Sequence, residues 1–265
     1  MYMNLYQEQF SESHDFPRVD KPSKVLVIAS TPRCGSHMLG HALHRTGCFG
    51  FPLEYTQPSN MAEWRRRLAG SGDVLTEIQR RRTSPNGVFG IKIHYSHIAC
   101  YGGFQHVMRR FPDAYYVFLF RRDVLKQAVS LSIAQQTGVW ISGQAPTGTT
   151  AEYDFERINK CMRRVLLENA GWRYLFAAHG CKYLELEFDE VRQDIGGAVK
   201  RIGAFMDVSV NAEQVPTDPV TKKQGLDINT LWAERFLQDF KARDEYLVKE
   251  RAHPITFIKR ALKRA

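Results

Sequence analysis

The stretch VLVIASTPRCGSHMLGHALHRTG, residues Val25 to Gly47, decides the fold. Val25, Leu26, Val27 and Ile28 form a short apolar run, the pattern of a strand covered on both faces. Arg33, Gly35 and Ser36 follow at once in a small-residue loop. Met38, Leu39, Ala42 and Leu43 then recur at helical spacing, and Gly47 stands where a helix closes. A strand, a loop with glycine and hydroxyl groups, and a helix N-terminus make an anion site, because the first helical N–H groups lack partners and carry partial positive charge. The loop is not a Walker A sequence. G-x-x-x-x-G-K-[ST] occurs nowhere in the chain, and Arg33 takes a place that a P-loop ATPase does not give to arginine.

The 265 residues suffice for one well-packed domain, and a hydrophobic content of 43% supports a globular core. No apolar run approaches the roughly 18 residues of a membrane span. The first twenty residues lack the apolar centre of a signal peptide. Cys34, Cys48, Cys100, Cys161 and Cys181 contain no C-x-x-C pair, so neither a zinc site nor a disulfide framework is expected, and a cytoplasmic setting is. The net charge of +9 includes eight Lys or Arg against three Asp or Glu in residues 241–265. Arg65–Arg67, Arg80–Arg82, Arg109–Arg110 and Arg121–Arg122 are further clusters, read by default as solvated faces. No nucleic-acid-binding signature accompanies them, and no nucleic-acid partner is expected.

Residues 1–22 read as a polar arm outside the core, 23–250 as a single domain, and 251–265 as a basic amphipathic segment. Beyond the first βα unit, strands are expected over Val88–Ile93, Ala114–Phe120 and Cys181–Leu186. Helices are expected through Trp64, near Phe104–Arg110, from Val124 through Leu131, and over Tyr153–Ala178, Ile195–Phe205 and Leu231–Val248. Residues 141–150 (ISGQAPTGTT) form a loop suited to cover an active site. This alternation implies an α/β fold, a mostly parallel sheet with helices on both faces. Ligands bind at the carboxyl edge of such a sheet. There Arg121 or Arg122, with Ser130 eight or nine residues on, offers a second phosphate grip beside the first loop.

The order of these features resembles the sulfotransferases that use 3′-phosphoadenosine 5′-phosphosulfate (PAPS), and within them the trehalose sulfotransferase group. The resemblance runs from about Val25 to Phe240. It includes GFPLEYT at 50–56, SPNGVFGIK at 84–92, QTGVW at 136–140, AEY at 151–153, GWR at 171–173 and PVTKKQ at 219–224. It implies a P-loop-like nucleotide-binding fold in which Arg33, Cys34, Gly35, Ser36, His37 and Met38 wrap the 5′-phosphosulfate. Arg121 and Ser130 would hold the 3′-phosphate, with Arg122 as the spacing alternative, and Lys223 and Gln224 would close over the nucleotide. His37 and Met38 depart from the usual hydroxyl residue and Leu, leaving more of the phosphate binding to backbone N–H groups.

The resemblance also implies roles in sulfuryl transfer. Arg33 would steady the leaving phosphate, and Glu54 matches the carboxylate that acts as base in the trehalose group, a role that burial would favour by raising its pKa. Lys92 and His94, two apart on one strand, share a face. Lys-x-His at a strand end is the base-bearing pattern of cytosolic phenol and hormone sulfotransferases, so His94 is the second candidate base. The expected donor is PAPS, with adenosine 3′,5′-bisphosphate as product and no metal. The expected acceptor is a carbohydrate or glycolipid, and the expected assembly a homodimer. A basic helix over Pro254–Arg264 would suit peripheral contact with an anionic membrane surface. The rival readings are a P-loop-type kinase, disfavoured by the missing Gly-Lys-Ser/Thr, and a non-enzymatic binder of anionic ligands or nucleic acid, which rests on charge alone.

Overall fold

Four strands pair in one parallel sheet. The computed structural model describes residues 8–69, 72–141, 144, 146–217 and 227–243. Strand β1 (Lys24–Ser30) leads into helix α1 (Ser36–Arg45), followed by α2 (Pro58–Arg67) and α3 (Val74–Arg82). Strand β2 (Val88–His94) runs into a 3₁₀ turn (Tyr95–Tyr101) and α4 (Phe104–Arg110). Then come β3 (Tyr115–Phe120), α5 (Val124–Thr137), α6 (Phe155–Ala178), β4 (Tyr183–Glu187), α7 (Phe188–Gln193), α8 (Ile195–Met206) and α9 (Asp227–Lys241).

The sheet order is β2-β1-β3-β4, with every pairing parallel. The chain winds from β1 to one side and returns to β3 on the other, so a crevice opens at the carboxyl end of β1. Alternation along the strands divides the core. Val25, Val27, Ala29, Ile91, Ile93 and Phe118 pack with Trp64, Trp172 and Phe176 on one face. Leu26, Ile28, Val117, Leu119 and Leu186 pack with Leu39, Leu43, Val199 and Ile202 on the other. A third cluster joins α5, α6 and α9 through Leu131, Ile158, Val165 and Phe236.

The expected alternation of strands and helices is present, with several differences. Helices α3 and α7 and the 3₁₀ turn after β2 were not expected. The Arg80–Arg82 run ends α3, and Arg82 is fully buried rather than solvated. It pairs with Asp15 at 2.9 Å, donates to the Gln9 and Ser11 carbonyls, and lies over the Trp64 ring at 5.0 Å. The N-terminal stretch is therefore not free of the core, since Phe10 joins it and packs edge-on against Trp64. Helix α9 covers the early part of the expected Leu231–Val248 helix, whereas residues 244–248 and the segment 251–265 lie outside the described residues.

Candidate active site

Two residues with left-handed backbone shape the loop after β1: Arg33 at φ 66° and Gly35 at φ 86°. Gly35 caps α1, and a Cβ there would meet the Phe188 ring at 2.3 Å, so glycine is required both for its backbone and for this close approach. Cys34 is buried, and burial pushes its thiol pKa up. Met38 packs in the core beneath α1, so its side chain belongs to the fold and only its backbone faces the loop's chemistry. From below, Gln127 of α5 donates to Thr31 Oγ1 at 2.9 Å and to the Pro32 carbonyl at 2.7 Å. Thr31 in turn bonds Asn169 of α6. These buried amides were not singled out in the sequence. A glutamine on the apolar face of the helix after β3 was the available signal.

Two guanidiniums meet at this loop. Arg33 Nε donates to Ser130 Oγ at 3.0 Å, and its Nη1 donates to the Trp140 carbonyl. Burial first, and then the charge of Arg121, lower the Arg33 pKa to about 10, so it remains cationic at neutral pH. Arg121 lies over the Phe188 ring at 5.0 Å, and its buried Nε has no hydrogen-bond partner among the described residues. An unmatched donor beside a second cation fits an anionic ligand. Arg122 points elsewhere. Its guanidinium reaches Glu190 at 3.3 Å on the surface, while its backbone N–H donates to Glu187. Lys223 and Gln224 lie outside the described residues, as do parts of the 141–150 loop.

Glu54 reaches the same edge by a separate device. Leu53 bridges to Ile91, and the Lys92 N–H donates to the Leu53 carbonyl at 2.9 Å, zipping this segment onto β2. Asn60 Nδ2 donates to the Glu54 carbonyl, and Tyr55 OH to that of Phe51. The carboxylate is thereby brought to Lys92 Nζ at 2.8 Å and His94 Nε2 at 3.1 Å, both on the same oxygen. Burial works against ionisation of Glu54, but the charges of His94 and Lys92 outweigh it and hold its pKa well below the usual carboxylate value. Burial was expected to raise that pKa, and the neighbours reverse the sign. The two candidate bases are therefore hydrogen-bonded to each other.

His37 opens α1 between the two groups. Its ring nitrogen lies 3.0 Å from His41, and burial, followed by the Lys92 charge, lowers its pKa well below the ordinary histidine value. It stays a neutral donor and acceptor at the site. Among the described residues, no cluster of three or more His, Cys, Asp or Glu is placed to hold a metal. The arrangement thus offers an anion cradle with two arginines next to an oriented carboxylate.

The chain is similar to known sulfotransferases. Trehalose 2-sulfotransferase of Mycobacterium tuberculosis is 26% identical over 254 residues, covering 79% of this chain and 93% of that protein. Trehalose 2-sulfotransferase of Mycolicibacterium smegmatis is 24% identical, covering 83% and 96%. Among solved structures, mouse sulfotransferase SULT7A1 complexed with PAP superposes with a TM-score of 0.48 at 15% identity over 93% of this chain and 89% of that one. The family profile described as Stf0 sulphotransferase matches residues 25–239, which takes in β1, the Arg33 loop, Glu54, Arg121 and all four strands, and by this match the chain belongs to the Stf0 sulfotransferase family.

Proposed function

We propose that this enzyme transfers the sulfuryl group of PAPS to a hydroxyl of a sugar such as trehalose or a trehalose-like glycolipid. The observation that carries the reading is the placement of an oriented, ionised Glu54 at the same sheet edge as the Arg33–Arg121 pair. The 31–36 loop and the N-terminus of α1 would hold the 5′-phosphosulfate, and Arg121 would receive the 3′-phosphate on its unmatched donor. The acceptor oxygen attacks sulfur, and the bond from sulfur to the phosphate oxygen breaks. Adenosine 3′,5′-bisphosphate departs, and the acceptor proton passes to Glu54. Arg33 steadies the charge that grows on the leaving phosphate. The similarity to the two mycobacterial trehalose 2-sulfotransferases supports a sugar acceptor. Exposed Trp140, whose carbonyl takes a hydrogen bond from Arg33, adds an apolar surface of the kind a sugar ring packs against.

Incubation with labelled PAPS and a panel of sugars and glycolipids should yield a sulfated carbohydrate and adenosine 3′,5′-bisphosphate. Arg33→Ala should lower that turnover by about a hundredfold or more, the loss of ~3 kcal/mol seen when one such donor is removed. Near-normal turnover would exclude the loop from the chemistry. In calorimetry, Arg121→Ala should weaken PAPS binding by roughly 1.5–3 kcal/mol, the worth of a charge-assisted bond. Adenosine 5′-phosphosulfate, which lacks the 3′-phosphate, should be little affected. Equal weakening of both ligands would show that Arg121 does not read the 3′-phosphate.

A further inference from the structure

Ser30 ends β1 and His94 ends β2, and the parallel register sets them side by side. Both are buried. Ser30 Oγ lies 2.9 Å from His94 Nδ1, and His94 Nε2 lies 3.1 Å from Glu54 Oε1. An ionised carboxylate only accepts hydrogen bonds, so Nε2 carries the hydrogen. Nδ1 is then the ring's other polar atom, and a hydroxyl can pair with it as donor or acceptor. Among the described residues, Ser30 is the hydrogen-bonding partner of that nitrogen.

We propose that Ser30 is a positioning residue: its hydroxyl hydrogen-bonds His94 Nδ1, fixes the orientation of the imidazole, and thereby keeps the Nε2–H donor aimed at Glu54. The inference rests on the reading of Glu54 as base. Lys92 and His94 together fill Oε1 of Glu54 and leave Oε2 for the proton of the acceptor. The titratable and charged groups around His94 are Glu54, Lys92 on its own strand, and His97 of the 3₁₀ turn with ring centres 5.2 Å apart. His37 of α1 acts on this group through Lys92 and Glu54, and Arg164 of α6 acts on His97. The Trp172 indole donates to the backbone carbonyl of Ser30, a bond that survives loss of the hydroxyl.

The test is nitrogen-15 NMR of the histidine-labelled full-length chain, with kcat and the affinity for adenosine 3′,5′-bisphosphate, for the wild type, Ser30→Ala and Ser30→Thr. Ser30→Ala is expected to move the His94 Nδ1 resonance and to lower kcat by roughly tenfold, the scale of one hydrogen bond, with the nucleotide affinity unchanged. Ser30→Thr, which keeps the hydroxyl, is expected to restore both. An unmoved His94 resonance, wild-type kcat in Ser30→Ala, or a loss that Ser30→Thr does not restore would each overturn the proposal. A wild-type chain that turned over no PAPS would overturn the proposed reaction instead, while the His94 resonances would still report the Ser30 bond.

Discussion

Glu54→Gln is expected to lower turnover by about 10²–10⁴-fold, the contribution of a general base, while leaving the affinity for adenosine 3′,5′-bisphosphate unchanged. The carboxamide keeps the shape of the side chain, and its oxygen still accepts from Lys92 and His94, so the local fold persists. What it loses is the ability to take a proton. The nucleotide would be held by the 31–36 loop and Arg121, whereas Glu54 pairs with Lys92 and His94, so calorimetry with the product separates the two effects. His94→Ala should cost markedly less, because that residue aims the carboxylate and does not receive the acceptor proton. Retained turnover in Glu54→Gln with a dead His94→Ala would move the base to the histidine.

Asp15→Ala should destabilise the fold by ~3–5 kcal/mol, the penalty for leaving a buried charge without its partner. Arg82 is fully buried, and its pair with Asp15 is an ionic anchor of the N-terminal stretch. Asp15 also meets Arg67 at 2.5 Å and Arg81 at 3.7 Å, so one carboxylate compensates three cations between α2, α3 and the N-terminal turn. Replacing the pair together, as Asp15→Leu with Arg82→Met, should recover part of the loss, because apolar packing substitutes for the buried Arg82 pair while Arg67 and Arg81 still lose their carboxylate. Urea denaturation of the three proteins measures this. A loss under about 1 kcal/mol in Asp15→Ala would place the network in the class of surface salt bridges.

The part of this architecture visible in the sequence is the part built from local pattern. Val25–Ile28, the small-residue loop and the helical spacing of Met38, Leu39, Ala42 and Leu43 each follow from neighbours in the chain, and β1, its loop and α1 stand where that pattern puts them. Arg121 after β3 was legible for the same reason. What the pattern did not show depends on contacts between distant residues. Arg82 reads as one charge in a solvated run until Asp15, 67 positions earlier, is folded against it. Glu54 and His94 read as rival bases because nothing in their spacing reveals that Leu53 lies alongside Ile91 and brings them into one hydrogen bond. The sign of the Glu54 shift was lost with it, since burial alone would raise a carboxyl pKa and only the two neighbours lower it.

The attachment of Leu53 to β2 has a consequence for solubility. β2 is an outer strand, and an uncovered outer strand offers its free N–H and C=O groups to any other chain that can add to it. Here Leu53 bridges to Ile91 and Thr83 to Phe89, so the segment that delivers the carboxylate also covers the open border of the sheet. Remodelling residues 50–56 to admit a different acceptor therefore alters two properties at once. A variant that detached Leu53 would lose the aim of Glu54, and would also expose a template on which unfolded or partly folded copies could polymerise.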